Sequence, residues 1–241
     1  DLGARIMGLP DGSRTMAIAE INNSSTTCSD IASIVASIDN SPKSRFLANL
    51  SPFVRYRFRG NLMGLLDDFV ADGTISSTVG NIDVDLLYRN ETGVGSRFDG
   101  GISTDNLNIG QILSSNLLGE LTLKADLNAL FKKGGAGMDV SFESVKVDKL
   151  GLNGYDYSNV TAQGHYTEKD FNGTIICHDP NLDFVFQGLF SFGKESSNRY
   201  DFKAYVPYAN LAALNIDTRG NIAELEFSTT AKFETMADNY F

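Results

Sequence analysis

The sequence contains few of the residues on which catalytic, metal-binding and disulfide-stabilised proteins usually depend. Its 241 residues include two cysteines, two histidines and five prolines. Cys28 and Cys177 are too few for a disulfide scaffold, and we expect isolated thiols unless the fold brings them together. His165 and His178 are too few for a common metal site. No hydrophobic run approaches the roughly 18 residues of a membrane-spanning helix.

Positive charge is also in short supply. The chain has 20 lysines and arginines against 30 aspartates and glutamates, so its formal net charge at pH 7 is −10. Nucleic-acid binding depends on a basic surface, so we expect no nucleic-acid partner. Lys43, Arg45, Arg55, Arg57 and Arg59 form a local exception. We interpret them as a charged outer face that protects a sheet edge; the alternative is contact with phosphate-bearing headgroups.

Sequence motifs for catalysis are absent. The segment Gly188–Lys194 approaches the phosphate-binding loop pattern, but Glu195 follows where that pattern requires serine or threonine. Asp83 and Asp85 share one face of a strand, opposite Ile82. A solvated outer face explains this pair better than acid–base catalysis does. We therefore predict no enzymatic activity, no cofactor and no metal.

Hydrophobic alternation is the main pattern that the sequence does contain. Apolar and polar residues alternate with a period of two, which is typical of half-buried antiparallel strands. The clearest alternating segments are Val54–Phe58, Ile82–Tyr88, Leu121–Leu127, Leu182–Phe192 and Leu225–Phe233. Turn-forming residues such as Asn153 and Gly154 separate such segments. With 23 glycines, the composition suits an all-β chain with many turns.

Helical spacing is confined to short segments. One helix is predicted at Ser29–Ile38, with Ser29 or Asp30 as its N-cap, and short helical turns are predicted at Asn108–Leu113 and Ala209–Leu214. A chain of this length can form one large β domain. We therefore expect a single unit over residues 1–241, of which residues 1–50 carry the least pattern. The chain begins at Asp1 without a signal-peptide pattern, so we interpret it as a segment of a longer protein.

A five-residue phrase recurs within the predicted strands: an aromatic residue, any residue, glycine, any residue, and an apolar residue. Its full copies are Phe58-Arg59-Gly60-Asn61-Leu62, Phe98-Asp99-Gly100-Gly101-Ile102, Phe171-Asn172-Gly173-Thr174-Ile175 and Phe186-Gln187-Gly188-Leu189-Phe190. On a strand, the aromatic residue, the glycine and the apolar residue share one face. Glycine inside a strand marks a bend, a bulge or a close approach. The repeat predicts a curved sheet with an apolar concave face, along which the glycines clear space; curvature alone and a ligand-holding groove explain it equally well.

Several of these segments resemble one family of bacterial envelope proteins. The segments are Phe58–Leu62, Leu66–Gly80, Phe98–Leu113, Leu118–Leu123, Leu152–Val160 and Asp179–Phe184. They resemble the C-terminal half of the large proteins called AsmA-like or TamB-like. The resemblance covers roughly residues 55 to 235.

The resemblance implies a location and a function. Such proteins cross the periplasm of Gram-negative bacteria, which implies for this chain an inner-membrane anchor in a segment outside it. Their antiparallel sheet curls into an open, U-shaped (taco-like) hydrophobic groove with a few short capping helices. The family is associated with phospholipid movement between the inner and outer membranes and with outer-membrane protein assembly. No catalytic residues are carried over.

We therefore expect a non-enzymatic, lipid-conducting groove whose ligand is a phospholipid or another acyl chain. One alternative is an assembly factor that binds unfolded strands of an outer-membrane β-barrel protein at its sheet edges. The other is a purely structural β module of a cell-surface protein. The candidate groove residues share their parity within each strand. They are Phe58, Phe98, Ile102, Leu123, Phe184, Phe186, Phe190, Phe202 and Phe227.

Overall fold

Antiparallel strands account for nearly all of the regular structure. The computed structural model describes residues 2–7, 15–27, 55–65, 67–191, 199–217 and 227–234. Of the described residues, 79% lie in strands, which confirms the all-β class predicted from the alternation. The predicted helix at Ser29–Ile38 lies outside the described residues, as do Lys43 and Arg45.

Fourteen strands are described. They are β1 (Leu2–Met7), β2 (Met16–Thr27), β3 (Arg55–Leu65), β4 (Asp68–Ser77), β5 (Gly80–Glu91), β6 (Gly95–Asn108), β7 (Leu118–Lys132), β8 (Met138–Leu152), β9 (Tyr155–Tyr157), β10 (Val160–Thr167), β11 (Asp170–Asp179), β12 (Leu182–Ser191), β13 (Arg199–Ala209) and β14 (Phe227–Glu234).

The strands form one open antiparallel sheet in which chain order and spatial order agree. Each strand pairs with the next, except that β10 follows β8 in the sheet and the short β9 pairs with β8 alone. In the described pairing, β1 and β14 each have one neighbour, so the sheet has two edges. Since antiparallel neighbours need only tight turns, this order follows from the closely spaced turn signals of the sequence.

Helical structure in the described ranges is limited to short connections. Helix α1 (Ile109–Leu113) joins β6 to β7, and the side-chain oxygen of Asn108 caps it by accepting a hydrogen bond from the N–H of Gln111 at 2.9 Å. A 3-10 turn (Lys133–Gly135) joins β7 to β8. After β13, the N–H of Leu214 donates to the carbonyl of Asn210 at 3.1 Å, which closes one helical turn. The two short turns predicted from the sequence are therefore present.

The repeated glycines allow neighbouring backbones to approach closely. A Cβ atom on Gly188 would lie 2.2 Å from the carbonyl oxygen of Asp201, and Gly188 has a φ of 132°. A Cβ atom on Gly173 would lie 2.2 Å from the carbonyl oxygen of Gln163. Real side chains do not tolerate these separations, and residues with a Cβ rarely adopt such a φ. These glycines therefore permit the close approach of neighbouring strands, which is one of the roles that the sequence pattern predicts for them.

Candidate functional site

The sheet has an apolar face and a polar face. We call the face that bears Leu62, Leu86 and Phe202 the inner face, and the opposite face the outer face. The outer face carries many acidic residues; Asp72 and Asp85 lie directly opposite each other there, and both are exposed. Because side chains alternate along each strand, the inner face collects the apolar half of every alternating segment.

Three transverse rows cross the inner face, and each takes one residue from every strand except β9. The central row is Ala4, Ala19, Leu62, Ala71, Leu86, Gly100, Leu127, Phe142, Gly164, Gly173, Gly188, Phe202 and Ala231. The aromatic row is Ile6, Ala17, Gly64, Phe69, Tyr88, Phe98, Ala129, Val140, Tyr166, Phe171, Phe190, Tyr200 and Phe233. The aliphatic row is Leu2, Ile21, Gly60, Gly73, Val84, Ile102, Ala125, Val145, Ala162, Ile175, Phe186, Ala204 and Thr229.

These rows form a long surface without charge. Within the described strands they contain no charged residue, and their polar residues are Thr229 and three tyrosines. Neighbouring strands lie about 4.8 Å apart, so a row that crosses the sheet from β1 to β14 is about 58 Å long. This length exceeds the hydrocarbon thickness of a bilayer, about 30 Å.

The two faces differ in exposure. None of the row residues with a described side chain is exposed; nearly all are half-buried. On the outer face, by contrast, Met63, Val70 and Tyr205 are 50%, 46% and 44% exposed. The described helices are too short to form a second layer. The difference is the one expected of a curved sheet, because side chains converge on a concave face and shield one another.

The eight sequence-derived candidates with described side chains lie on the inner face. Phe202 belongs to the central row, Phe98 and Phe190 to the aromatic row, and Ile102 and Phe186 to the aliphatic row. A fourth row beside the aliphatic row contains Phe58, Leu123 and Phe184. Phe227 pairs with Val206 through its backbone, and its side chain is not described.

The structure brings only some of the candidates together. The aromatic cluster, as we name it, contains the buried residues Phe171, Phe186 and Ala204 and the half-buried residues packed on them: Phe142, Tyr166, Ile175, Phe184, Phe190 and Phe202. It lies on β8 and β10–β13. Phe58 and Phe98 lie elsewhere on the face. A second ring series on the aromatic row joins Phe69 to Tyr88 at 4.7 Å and Tyr88 to Phe98 at 5.2 Å, measured between ring centroids.

The glycines do not clear space everywhere, contrary to the expectation from the sequence. The ring carbon Cζ of Phe171 lies 2.9 Å from the point that a Cβ atom on Gly173 would occupy. The ring of Phe171 therefore fills the volume above this glycine. The sequence motif shows where a strand has no side chain. It does not show whether the side chain of a neighbouring residue fills the volume above that glycine.

Sequence reasoning missed several central residues of the face. Phe142 and Phe171 belong to the aromatic cluster, and Phe171 is 7% exposed, yet neither is among the nine candidates from the sequence. Leu62, Leu86 and Leu127 also lie in the central row. Their parity identified the face, but no sequence signal gives the register that places them in one row.

A buried hydrogen-bond network lies at one rim of the inner face, around Asp179 at the end of β11. Asp179 is 6% exposed. Its carboxylate accepts hydrogen bonds from the hydroxyl of Tyr155, from the N–H and hydroxyl of Ser158 at 2.9 and 2.8 Å, and from the N–H of Asn181 at 2.8 Å. Tyr155 also packs on the buried side chains of Val206, Ala209 and Leu214. The network therefore ties β9 and the turn between β11 and β12 to the segment after β13.

The network sets the ionisation of Asp179. Burial raises the pKa of this carboxyl, but the hydrogen bonds from Tyr155, Asn181 and Ser158 together outweigh burial and leave the pKa below its ordinary value of 3.8. Burial, with a smaller contribution from the bond to Asp179, raises the pKa of Tyr155. Burial also raises the pKa of the Cys177 thiol, which is free; Cys28 lies outside the described residues.

A lowered pKa predicts acid sensitivity of this rim. The ionised Asp179 stabilises the folded state above the ordinary value of 3.8, and this stabilisation is lost as the pH falls through the lower folded value. In Asp179→Asn, we expect the free energy of unfolding to depend less on pH than in the parent between pH 5 and about 2. Urea unfolding at a series of pH values measures this, with Asp85→Asn on the exposed outer face as the control for loss of one charge. Parallel pH profiles for the parent and Asp179→Asn would contradict it.

Outside the rim network, the described polar side chains lie mostly on the outer face, where the imidazole of His165 contacts Ser141 at 3.0 Å and Asp139 at 3.3 Å. Arg55, Arg57 and Arg59 are exposed on the outer face of β3, away from the apolar rows. No group of three or more His, Cys, Asp or Glu side chains in those ranges could hold a metal ion. None of the helical segments described there has the length and hydrophobicity of a membrane-spanning helix.

Comparisons with protein-family models, curated proteins and solved structures found no match.

Proposed function

We propose that this chain is a segment of an AsmA-like or TamB-like envelope protein that binds phospholipid acyl chains on its inner face and conducts them between the inner and outer membranes. The proposal places the segment in the periplasm of a Gram-negative bacterium, with its anchor in another part of the protein. It assigns no catalytic step to the chain.

The observation that carries the proposal is the continuity of the three apolar rows across the sheet. Acyl chains need apolar contact and few specific polar partners. A surface without charge for about 58 Å along the strand-stacking direction meets this need. The half-buried state of the row residues supports the same ligand, because these side chains are within reach of a small apolar molecule but have no covering layer in the described structure.

The acyl-chain ligand is favoured over the two alternatives by the chemistry of the face. A factor that recognises unfolded strands through its edges needs free N–H and C=O groups at an edge strand, and it has no need of an uncharged face. A purely structural module would bury such a face against its own chain or against another protein.

The test uses two adjacent leucines on β5 that point to opposite faces. Leu86 lies in the central row, whereas Leu87 lies on the outer face opposite Val70 and Asp99, and both leucines are half-buried. A charge placed among acyl chains costs about 2.5–3.5 kcal/mol, which corresponds to roughly a hundredfold in affinity. Leu86→Glu should therefore lose photocrosslinking to a phospholipid that carries a diazirine on its acyl chain, and Leu87→Glu should keep it.

Lipids extracted from the purified parent chain and identified by mass spectrometry provide the second readout. We expect phospholipids in the parent extract and a strong reduction in Leu86→Glu. Circular dichroism shows whether both variants keep the strand content of the parent. A parent that neither retains nor crosslinks phospholipid contradicts the proposal. If such a parent captures an unfolded β-strand peptide, the assembly role is favoured; if it captures neither, the structural role is favoured.

A further inference from the structure

Among the described side chains of the three rows, buried residues occur only on β7, β11, β12 and β13. On β2–β6, no row residue with a described side chain is buried. On β11 and β12, Phe171 and Phe186 are only 7% and 8% exposed. A ring can be buried on a single-layer sheet only if its neighbours cover it. Here the neighbours are other rings of the cluster.

The rings of Phe171 and Phe186 meet above the glycines of the central row. Phe171 belongs to the aromatic row and Phe186 to the aliphatic row, on either side of Gly173 and Gly188. The two outer rows lie four residues apart along a strand, which is about 13 Å in extended chain. The ring centroids, however, are only 5.9 Å apart. The two side chains therefore lean toward each other across the central row.

This separation leaves no room for an acyl chain between the rings. A methylene chain between two carbon surfaces needs about 3.5–4.0 Å on each side, so the centroids would have to be about 7–8 Å apart. Further rings support the closed arrangement: Phe202 lies 5.2 Å from Phe186, and Phe142 stacks on Phe171 at 6.1 Å. The cluster is thus packed from both sides along the row.

We propose that Phe171 and Phe186 form a constriction that closes the acyl-chain path over Gly173 and Gly188. Lipid then occupies the inner face over β2–β6, and it passes β11 and β12 only when these rings rotate aside. This inference rests on the proposed lipid-binding function and adds the place at which passage along the face is limited.

Mapping of crosslinks along the chain tests the constriction. The purified 241-residue chain is mixed with vesicles of phosphatidylethanolamine and phosphatidylglycerol that contain the acyl-chain diazirine phospholipid. After irradiation and digestion, labelled peptides are located by mass spectrometry. In the parent, we expect label on peptides from β4–β6 and severalfold less label on peptides from β11 and β12. In Phe186→Ala, label should spread to β11 and β12.

Two further variants keep the test decisive. Phe186→Leu retains more of the buried apolar surface, so it replaces the alanine variant if that variant does not fold. Tyr205→Ala removes a ring from the outer face of the neighbouring strand β13, where Tyr205 is 44% exposed, and should leave the labelling pattern of the parent unchanged.

The possible labelling patterns distinguish the constriction from lipid binding itself. Equal labelling of β4–β6 and β11–β12 in the parent overturns the constriction and leaves lipid binding intact. If label is confined to β4–β6 in the parent and does not spread to β11 and β12 in a folded Phe186 variant, the constriction is also overturned. Label nowhere on the parent overturns the constriction and the proposed function together.

Discussion

Truncating Phe186 to alanine is expected to lower the free energy of unfolding by about 3–5 kcal/mol, the range measured for buried phenylalanines. Phe186 is 8% exposed, and its ring contacts those of Phe171 and Phe202. Removing the ring leaves a cavity inside the aromatic cluster and deprives its neighbours of their cover. Urea denaturation of the parent and the variant measures the loss.

Phe98→Ala is the matched comparison, because Phe98 lies on the same face but is only half-buried. Its ring has two aromatic neighbours, Tyr88 at 5.2 Å and Phe131 at 5.7 Å. We expect a smaller loss of about 1–2 kcal/mol, since a partly exposed ring gives up less transfer free energy and leaves no enclosed cavity. Equal losses in the two variants would show that the inner face is one uniformly packed core, which contradicts the division into an accessible part and a filled part.

Gly100→Ala on β6 is expected to be strongly destabilising, although it adds only one methyl group. A Cβ atom there would lie 2.1 Å from the carbonyl oxygen of Asp85, and the φ of Gly100 is 139°. Residues other than glycine held in this backbone region are strained by about 1–3 kcal/mol, and the clash with the neighbouring backbone adds to that strain. We therefore expect a loss of more than about 2 kcal/mol in the free energy of unfolding.

The neighbouring glycine provides the control. A Cβ atom on Gly101 would lie 3.4 Å from Oδ1 of Asp126, the end of an exposed and flexible side chain. Gly101→Ala should therefore change the free energy of unfolding by no more than about 0.5 kcal/mol. Both variants are measured by urea denaturation under identical conditions. If the two alanine variants were equally stable, the close approach of β5 and β6 at Gly100 would not constrain the fold.

The alternation of apolar and polar residues within each strand could be predicted from the sequence because it is a local property. A strand places successive side chains on opposite faces whatever its neighbours are. The segment Ile82–Tyr88 therefore identified its own inner and outer residues, and Leu182–Phe192 did the same over the part that the structure describes. The short helical turn at Asn108–Leu113 was equally local, since the Asn108 cap lies next to the residues that it caps.

The residues that make up each transverse row could not be predicted from the sequence, because row membership depends on the register between strands. The copies of the glycine phrase show this directly. Gly100, Gly173 and Gly188 fall in the central row, whereas Gly60, from a copy with the same pattern, falls in the aliphatic row. Irregularities in pairing contribute, such as the register shift between Ala162 and Gly164 where β10 pairs with β8. The extra residue of a bulge leaves no distinct mark in an alternating sequence.

The sequence by itself thus determined the fold class, the apolar face and the eight candidates whose described side chains lie on it, because period-two patterning follows from the backbone geometry of one strand. The tertiary structure decided which of those residues meet. Phe171 and Phe186 stand on different strands and in different rows, and only pairing of β11 with β12 brings their rings within 5.9 Å of each other. Contacts of this kind depend on register and on side-chain direction together, and neither is encoded within a single segment.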